Sequence, residues 1–204
     1  MPGPPELVAR RLPLYRAADD ATRALGDATG LACPPGCGAC CVTAPPHVTI
    51  GDVAPIAADL VARGEADAVL IRAEAAADGG ACALHDPTRS GGGCTAYALR
   101  PVVCRLFGFA AVRDKRGVPH LAACRVHVRE APEATARAVA HVAAGGEVPV
   151  FADWQAAAHD GDGGAAQVPI NAALARALDR ELLRARLLAA GDPPPPGPGR
   201  PRVR

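Results

Sequence analysis

A mainly α-helical fold with a small β-hairpin, its several short helices packed on an irregular cysteine-cluster core, is what the sequence predicts. Three observations lead there. Apolar residues recur at helical spacing in several separate stretches. The run pattern of a strand pair occurs at one place, around Arg113 to Gly117. Prolines and glycines crowd the segments that hold the cysteines, which breaks regular structure there.

The elements follow in order. Residues 13–29 carry Leu14, Ala17, Ala18, Ala21, Ala24 and Leu25 near 3.6-residue spacing, and Gly30 is placed to stop the helix. The segment from Cys33 to Cys41 contains Pro34, Pro35, Gly36 and Gly38 and reads as a loop without regular structure. A second helix begins near Ile50, where Thr49 and Asp52 resemble a capping box with Asp in place of Glu. Pro55 falls in its first turns, where proline is better tolerated than in the interior. Residues 65–78 read as a third helix ended by Gly79 and Gly80.

Residues 82–106, with Gly91-Gly92-Gly93 and Pro101, read as irregular. Phe107 to Val112 and Val118 to Ala123 flank Arg113-Asp114-Lys115-Arg116-Gly117 as a hairpin, with Cys124 closing its second strand. Helices follow at about 132–144 and 170–190, and Leu174, Leu178, Leu182, Leu183, Leu187 and Leu188 of the last lie opposite an Arg-rich face. From Gly191 the chain is Pro-rich and charged, and disorder is expected.

At 204 residues the chain reads as one domain with a tail. Its organisation is a helical segment over 1–30, a cysteine-bearing domain over 31–130, helices packing on it over 131–190, and the tail 191–204. Half the residues are hydrophobic but only 3% are aromatic, so Leu and Val must fill the core alongside much alanine. The net charge of +1 and the lack of a long basic run disfavour a nucleic-acid partner. The N-terminal residues, with Pro2, Pro4, Pro5, Glu6, Arg10 and Arg11, do not make a signal peptide. No uncharged apolar run approaches the ~18 residues of a membrane span. A cytoplasmic location is therefore expected, where thiols stay reduced.

The cysteines carry the chemistry. Cys33, Cys37, Cys40 and Cys41 are spaced Cys-x3-Cys-x2-Cys-Cys, and paired sulfurs on a tight loop can face one metal ion. Gly36 and Gly38 allow that loop to fold back. Cys82, Cys94, Cys104 and Cys124 complete a set of eight, enough for two four-thiolate sites or for one cluster with further thiols nearby. A disulfide scaffold belongs to shorter secreted chains, and Cys40 and Cys41 are neighbours that rarely bridge each other well. Scattered core thiols would not collect four of their number in one Pro/Gly loop. All eight are expected to be ligands.

His85 and His127 each lie three positions after a cysteine, a tolerated ligand spacing, but lone histidines seldom ligate. His47, His120, His141 and His159 have no cysteine at such spacing, and Asp52 is better explained by capping than by catalysis. Trp154 is expected in the core. No Ser/His/Asp order, phosphate loop or paired-carboxylate motif is present.

Cys40-Cys41, followed by Cys94-Thr95-Ala96-Tyr97-Ala98-Leu99-Arg100-Pro101-Val102-Val103-Cys104-Arg105-Leu106-Phe107, resembles the CxxCxxCC family of cysteine-cluster proteins. The likeness covers roughly residues 33 to 124. It implies a domain that chelates zinc or iron, with an otherwise undefined biochemical role. The family's first gap is usually two residues, whereas three separate Cys33 from Cys37. Beside such a site, Arg100 and Arg105 are candidates to offset thiolate charge, with plain surface ion pairs as the alternative. Pro101 sets the turn to Cys104, and Tyr97 is expected to pack with Phe107 and Phe109.

Two functions compete. One is non-enzymatic binding of zinc or iron, the ion joining loops 33–41 and 82–104, with a protein partner left unknown. The other is an iron–sulfur enzyme or redox protein, extending to S-adenosylmethionine-dependent protein methylation. Cys33-x3-Cys37-x2-Cys40 has the spacing used by radical S-adenosylmethionine enzymes, and flagellin lysine methylases are similar in carrying a related cysteine cluster. Gly145-Gly146-Glu147 is similar to a short element of the radical enzymes, though the strands for their barrel are missing from the pattern.

Overall fold

The computed structural model describes residues 4–43, 45–88, 93–160 and 164–191. Helices dominate them: α1 (Pro4–Thr29), α2 (Ala39–Thr43), α3 (Ile50–Ala62), α4 (Ala66–Ala75), α5 (Val102–Leu106), α6 (Arg125–Glu130), α7 (Pro132–Ala143), α8 (Phe151–His159) and α9 (Ile170–Gly191). Short antiparallel ladders join β1 (His47–Val48) to β6 (Val168–Pro169), β2 (His85–Asp86) to β3 (Gly93–Cys94), and β4 (Ala111–Arg113) to β5 (Pro119–Leu121). The expected mainly α architecture with small hairpins is what the chain adopts. The expected disorder of the tail falls on residues outside those described, apart from Gly191 at the end of α9.

The main core forms where α9 lies across α3 and α4. Ile56, Leu60, Val69, Leu84, Ile170, Leu174 and Leu178 interlock there, with alanines between them that let the helices approach closely. Cys82 and Cys94 belong to this same buried cluster. The ladder of β1 with β6 fixes the pairing, since it joins the segment entering α3 to the segment entering α9. A second cluster gathers Tyr15 and Ala18 of α1 with Val102, Leu106, Ala110 and Ala158, and half-buried Trp154 packs against it. Leu31, Ala134 and Ala138 make a third, with Phe109 and Leu121 at its edge.

α3 starts as the sequence indicates. The Asp52 N–H donates to Thr49 Oγ1 at 3.2 Å, and the Thr49 N–H donates to Asp52 Oδ2 at 2.8 Å. The Asp52 carboxylate does more than cap, because His159 Nε2 of α8 lies 3.0 Å from it and Arg11 of α1 lies 3.6 Å away. Tyr15 also donates its hydroxyl to the Asp52 carbonyl at 2.8 Å. One buried carboxylate thus ties three helices together, a geometry in which losing any partner strands charge away from water.

Several boundaries differ from expectation, each for a physical reason. α1 begins upstream of Pro13, which stands inside the helix. A proline there removes one backbone hydrogen bond, but the turn before it is held from outside by Arg11 on Asp52 and by Arg10 on the Asp160 carbonyl. The loop of Cys33 to Cys41 is not wholly irregular. Its prolines end at Pro35, which leaves Ala39–Thr43 able to form a helical turn, closed by Thr43 Oγ1 on the Ala39 carbonyl at 2.8 Å. Residues 82–106 likewise contain the β2–β3 ladder, a 3-10 turn (Tyr97–Leu99) and α5, which Pro101 opens from the cap position, where no helical N–H is required. The helix expected over 65–78 stops at Ala75, and the hairpin strands are shorter than expected. Cys124 caps α6 instead of closing a strand. α6 and α8 were not foreseen.

Leu174 is fully buried between α3 and α9. Leu174→Ala should cost about 2–5 kcal/mol, read by denaturant unfolding. Leu187→Ala, at a position 65% exposed, should change stability by less than about 0.5 kcal/mol in the same assay.

Candidate metal centre

Each cysteine is set by a local device. In the first loop the Cys37 N–H donates to the Pro34 carbonyl at 3.0 Å, and Gly36 takes φ 71°, a conformation that favours glycine. Gly38 is held tight from outside, since a Cβ there would lie 2.7 Å from the His85 ring. Cys40 and Cys41 sit on α2. The Cys82 N–H donates to the Cys41 carbonyl at 2.8 Å, so the first and second cysteine segments are stitched by backbone. Cys82 opens a tight turn closed by the His85 N–H on its carbonyl at 2.8 Å, and Cys94 stands opposite His85 across the β2–β3 ladder.

The Cys82 turn is anchored from α9. Asn171 accepts the Ala83 N–H at 2.8 Å and donates to the carbonyls of Ala76 and Ala81 at 3.0 Å each. Sequence reasoning missed this residue, because one Asn in a helix pattern gives no sign of its target. Cys104 follows Pro101, to whose carbonyl its N–H donates at 3.0 Å. Cys124 accepts the His127 N–H on Sγ at 3.4 Å and so caps α6.

The sulfurs converge on two adjoining cavities. An open cleft of 1120 Å³ is lined by Cys33, Cys37, Cys40, Cys94, Cys104 and Cys124. A small void of 30 Å³ behind it is lined by Cys37, Cys40, Cys41, Cys82, Cys94 and Cys104. Together they account for all eight cysteines, each a free thiol. Among the described residues no three His, Cys, Asp or Glu side chains close tightly enough to hold one ion as they stand. The sulfurs ring a space instead of meeting at a point, and loading a metal requires the loops to draw in. The donor set itself is soft and sulfur-rich, which suits zinc, iron and iron–sulfur centres.

Electrostatics favour a cation in that space. Partial desolvation inside the cleft raises the Cys33 thiol, although the residue as a whole is exposed, and the like charges of Cys37, Cys124 and Cys40 add to it. Burial also lifts Cys82 to about 11. Cys104 rises above the usual thiol range through burial and through Cys82 and Cys40. Cys41 rises because of its hydrogen bond with Cys40 and its burial. The same bond, with help from the Arg100 guanidinium, brings Cys40 down to about 6. Thiols that oppose one another's ionisation in this way are relieved by a bound cation.

The two arginines separate in role. Arg100 lowers Cys33, Cys40 and Cys104, as expected of a cation near thiolates. Arg105 instead pairs with Asp19, donates to the carbonyls of Arg100 and Ala98, and lies over the Tyr15 ring, so it pins the Ala98–Arg100 turn to α1. Tyr97 does not serve as core. It is 59% exposed and stacks on the Arg100 guanidinium, 3.5 Å from ring centre to carbon, while Phe109 packs in the third cluster. Among the histidines, His127 stands out. It is 1% exposed, and its Nε2 lies 3.3 Å from Cys33 Sγ. Burial lowers its pKa, partly offset by a backbone hydrogen bond with Gly108. His159 pairs with Asp52, His120 lies near Asp114, and His141 meets the Glu147 carbonyl.

Scaffold and site together define a helical domain built around a cysteine cluster. The CxxCxxCC family model, described as "Putative zinc- or iron-chelating domain", matches residues 32–134, and the chain belongs to that family. That description supports metal binding. No curated protein and no solved structure matches the chain.

Asn171→Ala would leave the Ala83 N–H and two carbonyls without their partner. A loss of about 2 kcal/mol or more is expected, together with faster hydrogen exchange at the Ala83 amide. An exchange rate equal to that of the parent protein would show that Asn171 does not hold the cysteine turn.

Proposed function

We propose that the chain binds zinc or iron through Cys33, Cys37, Cys40, Cys41, Cys82, Cys94, Cys104 and Cys124, and that it does so as a non-enzymatic metal-binding protein. The observation that carries this reading is the convergence of all eight sulfurs on two adjoining cavities, although they come from segments as distant as Cys33 and Cys124. The backbone bond between Cys82 and Cys41 supports it further, because it already brings the first loop against the second. An ion there would cross-link segments distant in sequence, so binding energy becomes folding energy. Such chemistry suits a reducing, cytoplasmic setting. No described helix is long and apolar enough to cross a membrane.

A second reading, an iron–sulfur enzyme or redox protein with S-adenosylmethionine-dependent protein methylation as one form, is favoured by one observation. The 1120 Å³ cleft opens directly onto six of the sulfurs and exceeds what an ion alone needs. Against the radical-enzyme form, the described strands form only two-stranded ladders, and Gly145-Gly146-Glu147 lies in the turn after α7.

Protein prepared without oxygen separates the readings. A colourless preparation holding zinc supports the first, whereas brown colour with visible absorption bands and acid-labile sulfide supports the second. Cys37→Ser and Cys104→Ser should each lower metal content, and full retention by both would remove the ligand assignment. Stripping the metal with a chelator should lower the unfolding midpoint, because a ligand at a thousandfold its Kd stabilises by roughly 4 kcal/mol.

A further inference from the structure

We infer that His127 is a metal ligand, its Nε2 joining the sulfurs of Cys33, Cys37 and Cys124 in a site distinct from an all-sulfur site made by Cys41, Cys82, Cys94 and Cys104. This rests on the metal-binding reading and divides the donors between two centres.

Geometry points to the ring first. His127 Nε2 stands 3.3 Å from Cys33 Sγ. Two ligands of a tetrahedral zinc ion, with metal–sulfur near 2.3 Å and metal–nitrogen near 2.0–2.1 Å, lie roughly 3.6 Å apart along the tetrahedral edge. The pair is therefore already close to the separation it would have around one ion. Cys124 sits one turn before His127 on α6, with its sulfur taking the His127 N–H. A Cys-x2-His pair on one turn is a workable ligand spacing.

The ring has been fixed in place by what lies behind it. Phe109 meets it edge-on at 5.0 Å between centres, and Gly108 passes so close that a Cβ there would lie 3.0 Å from the ring and 3.1 Å from the Cys124 Cβ. Nδ1 is buried against this wall, facing the Gly108 backbone and away from the sulfurs. Nε2 alone therefore faces a donor set. A fully buried imidazole with one ring nitrogen turned to a thiol is an expensive feature unless that nitrogen serves a purpose.

The thiols divide the same way. Cys33 and Cys124 line only the open cleft, and Cys41 and Cys82 only the small void. Cys41, Cys82, Cys94 and Cys104 all pack in or against the main apolar cluster, which Cys33, Cys37, Cys40 and Cys124 do not join. Cys37, Cys40, Cys94 and Cys104 line both cavities, so the two neighbourhoods adjoin. Cys33 is exposed, so its loop has room to draw Cys33 and Cys37 inward onto an ion.

The test uses the full chain loaded with zinc. Elemental analysis should give about two zinc ions, and X-ray absorption should show imidazole scattering at roughly one nitrogen to seven sulfurs. His127→Ala should lose one of the two ions. His127→Cys should restore the count with an all-sulfur spectrum, and Cys104→Ser should lose the other ion while raising the nitrogen share. The absorption measurement on the parent protein needs no variant to fold. Zinc held in an all-sulfur environment by the parent protein would overturn the His127 assignment alone and mark its contact with Cys33 as a thiol–imidazole hydrogen bond. A parent protein that takes up no metal would overturn the metal-binding reading and this assignment with it.

Discussion

Sulfurs that must ionise side by side in a partly buried space repel one another, and this chain gathers eight of them. Desolvation and neighbouring sulfurs raise the Cys33 and Cys82 thiols, which favours their protonated forms. A metal ion changes that balance by exchanging each proton for a bond, which turns mutual repulsion into shared coordination. On the proposed metal-binding reading, the loops depend on that exchange. The first loop, Cys33 to Gly38, has turns and one close approach to His85 but contributes no buried residue to the three apolar clusters.

The helical scaffold serves that arrangement from two sides. α9 crosses α3 and α4 through a core whose aliphatic side chains are few and whose alanines bring the backbones close. From that packing, α9 presents Asn171 to the turn that carries Cys82. From the other side, α1 is fixed by Asp52 through Arg11 and Tyr15, and it in turn receives Arg105 on Asp19. Arg105 then secures the turn before Cys104 by holding the carbonyls of Ala98 and Arg100. The elements outside the family match, α1 and α9, thus bear on the positions of Cys82 and Cys104 within it.

How much of this the sequence disclosed depends on how local each signal was. The capping box at Thr49 and Asp52, the leucine stripe of α9 and the hairpin around Asp114 each rest on neighbouring residues, and each was legible. α2, α5 and α6 are short helices of five or six residues, too brief for periodicity to register, and proline and glycine nearby argued for loops. The start of α1 was hidden because Pro13 looked like a boundary, while the contacts that carry the helix past it come from α3 and the end of α8. Asn171, Arg105 and His127 were hidden for the same reason: their partners lie far away in sequence. Only spacing hinted at His127, and spacing alone hinted equally at His85, whose ring packs against Gly38.

Charge gives the mixed donor set its logic. Two four-thiolate zinc sites would carry a net charge of about −4, and replacing one thiolate by neutral imidazole reduces it to about −3. Arg100 lowers Cys33, Cys40 and Cys104, whereas Arg105 is committed to Asp19 and to backbone carbonyls. One guanidinium, itself stacked on an exposed tyrosine, offsets only part of such a charge. Backbone N–H groups supply some of the remainder, as the His127 amide does for Cys124. Removing a thiolate from the more exposed centre, where the cleft also admits water, lowers the repulsion between the two sites without giving up a ligand. Cys40, lowered by its bond with Cys41 and by the Arg100 guanidinium, stands between them and lines both cavities.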